Sequence, residues 1–235
     1  MQRHWFKRIA YRAIRLMVRL MAVASFRFRS FGSRNMPPEG PVLVCSNHQS
    51  HLGPVLVGMV FGRRLNFVAR KSLFKFALLR WLIQFLDAIP INRDGMGLEG
   101  IKESIRRLRR GEVVLIFPEG TRTTDGELAQ LKPGFCALAR RTKAALLPVA
   151  IDGAYQAWPR NAKTISFCQI QVFVGEPIHF GDYEQIDDKQ LVRELHQRIK
   201  TCHLSLRGDY DLKAVRSPKG GRGYPSELKT RLRLF

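Results

Sequence analysis

His48 is the residue around which chemistry can be assembled. It stands in Ser46-Asn47-His48-Gln49-Ser50-His51, a polar stretch between the apolar run Val42-Leu43-Val44-Cys45 and a second apolar segment behind Gly53-Pro54. An imidazole titrates near neutrality and can take a proton from a hydroxyl, so His48 is the candidate general base. His51 is a second imidazole, read as a loop residue pointing away. Cys45 lies inside the apolar run, where a thiol is inert core material. Two arginines close apolar stretches elsewhere: Arg93 after Ala88-Ile89-Pro90-Ile91, and Arg122 after Phe117-Pro118-Glu119-Gly120-Thr121. Guanidinium groups grip phosphate in a bidentate way, so these two qualify for a site that binds a phosphate monoester. The Thr121 hydroxyl and the Gly120 backbone are lesser donors.

Those residues need elements to hold them. Val42 to Cys45 reads as a buried strand. Gly53 is tolerated as an N-cap and proline is favoured just behind it, so Pro54 to Phe61 reads as a helix. Further strands are expected at Leu65–Ala69, Ala88–Ile91, Val113–Phe117, Ala145–Ile151 and Gln169–Val174. Helices are expected at Phe74–Phe85, Gly97–Arg110, after Lys132-Pro133-Gly134, and behind Asp187-Asp188 with Leu191, Leu195 and Ile199 inward. Strands alternating with helices predict an α/β fold: a mixed, mostly parallel central sheet flanked by helices, with ligands at the strand ends. His48, Arg93 and the 119–122 stretch all fall there.

Asn47-His48-Gln49-Ser50 with Leu52 and Pro54 resembles the first motif of the glycerolipid acyltransferases, the 1-acylglycerol-3-phosphate acyltransferase family. Ile89-Pro90-Ile91-Asn92-Arg93 resembles its second motif, Phe117 to Arg122 its third, and Leu147-Pro148-Val149 its fourth, in family order over roughly residues 35 to 180. The first motif of that family is His-x4-Asp, and this chain has Gly53 at the aspartate position. The resemblance implies that His48 takes a proton from an acceptor hydroxyl while that oxygen attacks an acyl thioester. It implies substrate binding by Asn47, Ser50, Arg93, Glu119, Gly120, Thr121 and Arg122, with Pro148 in the fourth motif. It implies no metal and no bound cofactor, with acyl-CoA or acyl carrier protein (ACP) thioester as co-substrate. The absence of a GxSxG nucleophile motif agrees with direct transfer.

Charge supplies the partner. The chain carries 40 Lys and Arg against 19 Asp and Glu, a net +21 that calls for a polyanionic surface. Residues 1 to 34 hold nine Arg and Lys and no acid. Arg8, Arg12, Arg15 and Arg19 stack into one helical stripe, opposite Phe6, Ala10, Met17, Met21 and Ala24. This is too interrupted for a spanning helix, lacks the core of a signal peptide, and reads as a helix lying in an anionic membrane interface. The division expected is 1–34 membrane-interface helix, 35–206 acyltransferase domain and 207–235 loose basic tail. Four scattered cysteines form no CxxC and fit a reducing compartment.

The expected function is acyl transfer to a lysophospholipid such as 1-acyl-sn-glycerol-3-phosphate, giving phosphatidic acid at the cytoplasmic face of the cell membrane, by a peripheral or monotopic protein. The alternative is a catalytically weakened homologue that still binds membrane and phospholipid, which Gly53 favours. Nucleic-acid binding has charge alone behind it and no recognised module.

Overall fold

Seven strands build one sheet, and its order follows from which strands are apolar on both faces. In chain order the elements are α1 (16–26), β1 (Arg29–Phe31), β2 (Val42–Ser46), α2 (Gly53–Val60), β3 (Leu65–Arg70), β4 (Ile89–Ile91), α3 (Leu98–Arg109), β5 (Val113–Ile116), α4 (Gly134–Thr142), β6 (Ala145–Asp152), α5 (Ala154–Ala157), β7 (Gln171–Val174), α6 (Phe180–Tyr183) and α7 (Asp188–Leu206). The computed structural model describes residues 16–70, 89–91, 98–162 and 164–208. Arg93, the Phe74–Phe85 segment, the Arg8, Arg12 and Arg15 part of the basic stripe, and the tail beyond 208 lie outside the described residues.

The sheet runs β1-β7-β6-β2-β5-β3-β4, with β2 at its centre and all of β2 buried. Neighbours pair in parallel except β6 with β7. The expected mixed, mostly parallel sheet is what forms. Alternation along β2 splits the core in two. Val42 and Val44 face a layer with Leu56, Val57 and Val60 of α2, while Leu43 and Cys45 face Leu108 of α3, Phe135 of α4 and Leu191 and Leu195 of α7. α7 starts as expected: the Asp187 carboxylate accepts from Gln190 N at 2.7 Å, and the Gln190 side chain accepts from Asp187 N at 3.3 Å. Leu191, Leu195 and Ile199 are fully buried on its inner face. Pro90 in β4 is tolerated because β4 is an edge.

The N-terminal segment corrects the sequence reading. The helix stops at Phe26, Arg27 takes a left-handed φ of 46°, and β1 then joins the sheet edge parallel to β7. Phe28 is buried against the core, which pulls this part of the expected helix into the sheet. Among the described residues no helix is long and apolar enough to cross a membrane.

Candidate active site

β2, β5 and β6 run side by side and point the same way, so the loops leaving their C-terminal ends converge. Cys45 is in register with Ile116 and Pro148, and Ser46 with Val149. The His48 loop and the 117–126 loop must therefore meet. Glu119, only 3% exposed, is the joint: one carboxylate oxygen accepts from His48 N at 2.6 Å and the other from Ala129 N at 3.1 Å. Thr123 N donates back to His48 O at 2.9 Å. The imidazole of His48 stacks on the Phe117 ring, centroids 3.9 Å apart and planes 18° apart, which fixes the ring's plane.

Burial pushes the Glu119 carboxyl above the usual carboxylate range, and the two backbone N–H groups only partly offset this. A raised folded pKa means that folding favours the neutral acid. Its contribution to stability is therefore present below the ordinary carboxyl pKa and is lost as pH rises through the folded value. Glu119→Gln removes that dependence, but one amide cannot accept from both N–H groups. It is expected to cost about 1–3 kcal/mol of stability at neutral pH, read by urea unfolding, because one buried N–H is left facing another donor. An unchanged midpoint would show that the clamp contributes nothing.

Several residues expected to contact substrate make bonds within the protein. Asn47 is buried; its amide donates to Ile151 O at 2.9 Å and its carbonyl accepts from Ile151 N at 2.7 Å, tying the end of β2 to β6. Ser50 donates to Trp158 O at 2.8 Å and accepts from Leu52 N at 3.2 Å. Glu119 has both oxygens engaged as above, and Gly120 N donates to Phe117 O at 3.0 Å. All four thus help to hold the loops. Pro148 lies inside β6, buried and in register with Cys45, so the fourth motif is core. Cys45 is core as well: it is fully buried, and desolvation pushes its thiol well above the usual range. Thr121 is exposed and Arg122 half-buried on the loop beyond Gly120.

Gly53 is the first residue of α2, not its N-cap; Leu52 holds the cap position in a helical conformation with no side-chain cap bond. A Cβ at 53 would lie 3.5 Å from His48 Nδ1 and 3.2 Å from Phe117 Cζ. A side chain here would point at the imidazole.

Two residues escaped the sequence reading. Gln49 is fully buried; it donates to Gly126 O at 2.7 Å and accepts from Ala154 N and Tyr155 N at 3.2 and 3.3 Å. It also contacts His203 at 3.3 Å, and that ring lies 2.9 Å from Asp152, which Arg207 bonds at 3.1 Å. Burial alone would raise the Asp152 carboxyl, but His203 and Arg207 together outweigh it and hold the group below its usual range. Lys132 is the other. Its backbone N donates to Pro118 O at 2.8 Å, and its ammonium lies 3.0 Å from where a Cβ on Gly120 would be. Gly120 has φ +75°, so glycine serves both the turn and the close approach of the lysine. Gln49 stands in the first motif and Lys132 before the helix-starting Pro133-Gly134, but the sequence assigns neither a role there. Among the described residues no group of three or more His, Cys, Asp or Glu is placed to hold a metal ion.

A family model described as acyltransferase matches residues 27–152. A 1-acyl-sn-glycerol-3-phosphate acyltransferase of Bacillus subtilis is 28% identical over 72% of this chain and 85% of its own length. One from Pseudomonas aeruginosa is 31% identical over 76% of this chain and 68% of its own. The crystal structure of a 1-acyl-sn-glycerophosphate acyltransferase from Thermotoga maritima, 23% identical, superposes with a TM-score of 0.76 over 89% of this chain and 84% of its own, which shows the shared fold. With His48 and the 119–122 loop joined at the ends of parallel strands and this match covering more than half its length, the chain belongs to the acyltransferase family.

Proposed function

We propose that this chain transfers a fatty acyl group from a thioester donor to the free hydroxyl of 1-acyl-sn-glycerol-3-phosphate, giving phosphatidic acid. The observation that carries this reading is the Glu119 clamp, which fastens the loop bearing the base to the loop bearing Arg122. A base and a phosphate grip fixed to each other are what an acceptor with both a hydroxyl and a phosphate monoester requires. A ring nitrogen of His48 takes the hydroxyl proton as the oxygen attacks the thioester carbon. The C–S bond then breaks, and the leaving thiolate recovers the proton from the imidazolium. Thr121, Arg122 and Lys132 face the phosphate, with Arg93 from the second motif. The donor is acyl-CoA or acyl-ACP, and the protein works peripherally at the cytoplasmic face of an anionic membrane.

The test offers labelled acyl-CoA and acyl-ACP with 1-acylglycerol-3-phosphate and with lysolipids lacking a terminal phosphate. Transfer to the phosphate monoester alone is expected, slow with this chain and fast with Gly53→Asp. Equal transfer to every acceptor, or hydrolysis of the thioester without transfer, would sink the proposal.

Gly53 favours a second reading, a weakened member of the family that binds the same lipids and transfers slowly. The site has no side chain at 53 to orient the imidazole. Binding of 1-acylglycerol-3-phosphate without measurable transfer in that assay would select it.

A further inference from the structure

Eight large apolar side chains are conspicuously exposed among the described residues, and seven fall on two touching segments. One is α1, with Leu16, Leu20 and Met21 outward while Val18, Ala22 and Phe26 pack on the core. The other is the connection between α5 and β7, where Ile165 is exposed and Phe167 is 75% exposed. The two are joined. The Phe26 and Phe167 rings lie 5.7 Å apart, and Ile170 N donates to Phe26 O at 2.9 Å. Neither 16–34 nor 156–170 contains an acid, and Arg19, Arg27 and Arg160 on them are exposed. Isolated exposed apolar residues need no explanation, but two touching segments that each expose apolar side chains, with arginines and no acid, do.

The same connection reaches the catalytic loop. Ser166 N donates to Ala157 O at 2.8 Å, Trp158 O accepts from the Ser50 hydroxyl at 2.8 Å, and the Trp158 ring lies 5.2 Å from His51. The segment bearing Phe167 is thus linked through Ser166, Ala157 and Trp158 to the loop next to His48.

We propose that the α5–β7 connection, with Phe167 at its tip, is a second membrane-inserting element that enters the same lipid leaflet as α1 and seats the His48 loop against it through Trp158. The occupant is an anionic bilayer because apolar tips among arginines, with no acid nearby, match acyl chains beneath anionic head groups. This rests on the reading that the acceptor is drawn from a membrane.

The experiment is partition of the full chain onto vesicles of phosphatidylglycerol and phosphatidylcholine containing neither donor nor acceptor, so that binding is read apart from transfer. Phe167→Glu is expected to lower partition about tenfold, Phe167→Leu to preserve it, and Ile101→Glu, at the exposed apolar site on α3, to leave it unchanged. Thermal midpoints of all three should match the parent. Unchanged partition for Phe167→Glu would overturn the proposal. So would an altered oligomeric state in Phe167→Glu with partition intact, which would make the patch a protein contact.

Discussion

Gly53→Asp is expected to raise acyl transfer by roughly 10^4-fold, the size of the loss when the carboxylate partner of a serine-protease histidine is removed. The geometry supports a direct contact. A Cβ at 53 lies 3.5 Å from His48 Nδ1, so a carboxylate one bond further out reaches that nitrogen. Engaged at Nδ1, it fixes the tautomer that leaves Nε2 to accept the hydroxyl proton and stabilises the imidazolium as it forms. The helix should tolerate the change, because a carboxylate in the first turn interacts favourably with the helix dipole by about 0.3–1 kcal/mol. Against that, Phe117 Cζ at 3.2 Å must yield by a few tenths of an ångström. The two effects oppose each other, and unfolding stability is expected to stay within about 1 kcal/mol of the parent. His48→Ala added to Gly53→Asp should erase the gain, since the carboxylate acts through that ring. Full activity in the chain as it stands, or a gain that survives His48→Ala, would overturn the pairing of His48 with a carboxylate at 53.

Arg122→Ala, made in the Gly53→Asp background so that rates are readable, is expected to lower kcat/KM for 1-acylglycerol-3-phosphate by about 10- to 150-fold. That is the equivalent of 1.5–3 kcal/mol for a charge-assisted hydrogen bond. Monoacylglycerol, which lacks the phosphate, should lose less than about threefold. Lys132→Ala should act in the same direction but more weakly, because an exposed ammonium grips phosphate as a screened point charge rather than a fork. Equilibrium binding of the phosphate acceptor to the parent chain and to Arg122→Ala provides a measurement independent of turnover. Equal losses for both acceptors would mean that Arg122 supports the loop and does not bind phosphate.

The sequence by itself determined the periodicities and the order of the motifs. Val42–Cys45 read as a buried strand, Asp187 announced the start of α7, and the spacing of Leu191, Leu195 and Ile199 gave its inner face. Strands alternating with helices made the sheet mostly parallel, which placed His48 and Glu119 at one end of it. All of these are local properties of the chain, set by backbone preference and by which side chains avoid water. The tertiary structure decided what depends on a distant neighbour. β1 exists because β7 offers an edge, although the surrounding sequence reads as helix. The sequence marked Asn47, Ser50 and Glu119 as site residues but not their partners within the protein, Ile151, Trp158, Ala129 and the His48 backbone. Polar side chains carry no mark of which far group they will meet, so a binding residue and a loop anchor look alike along the chain. The same holds for Lys132 beside Gly120 and for the vector from Gly53 to His48 Nδ1, because direction is a property of the folded backbone.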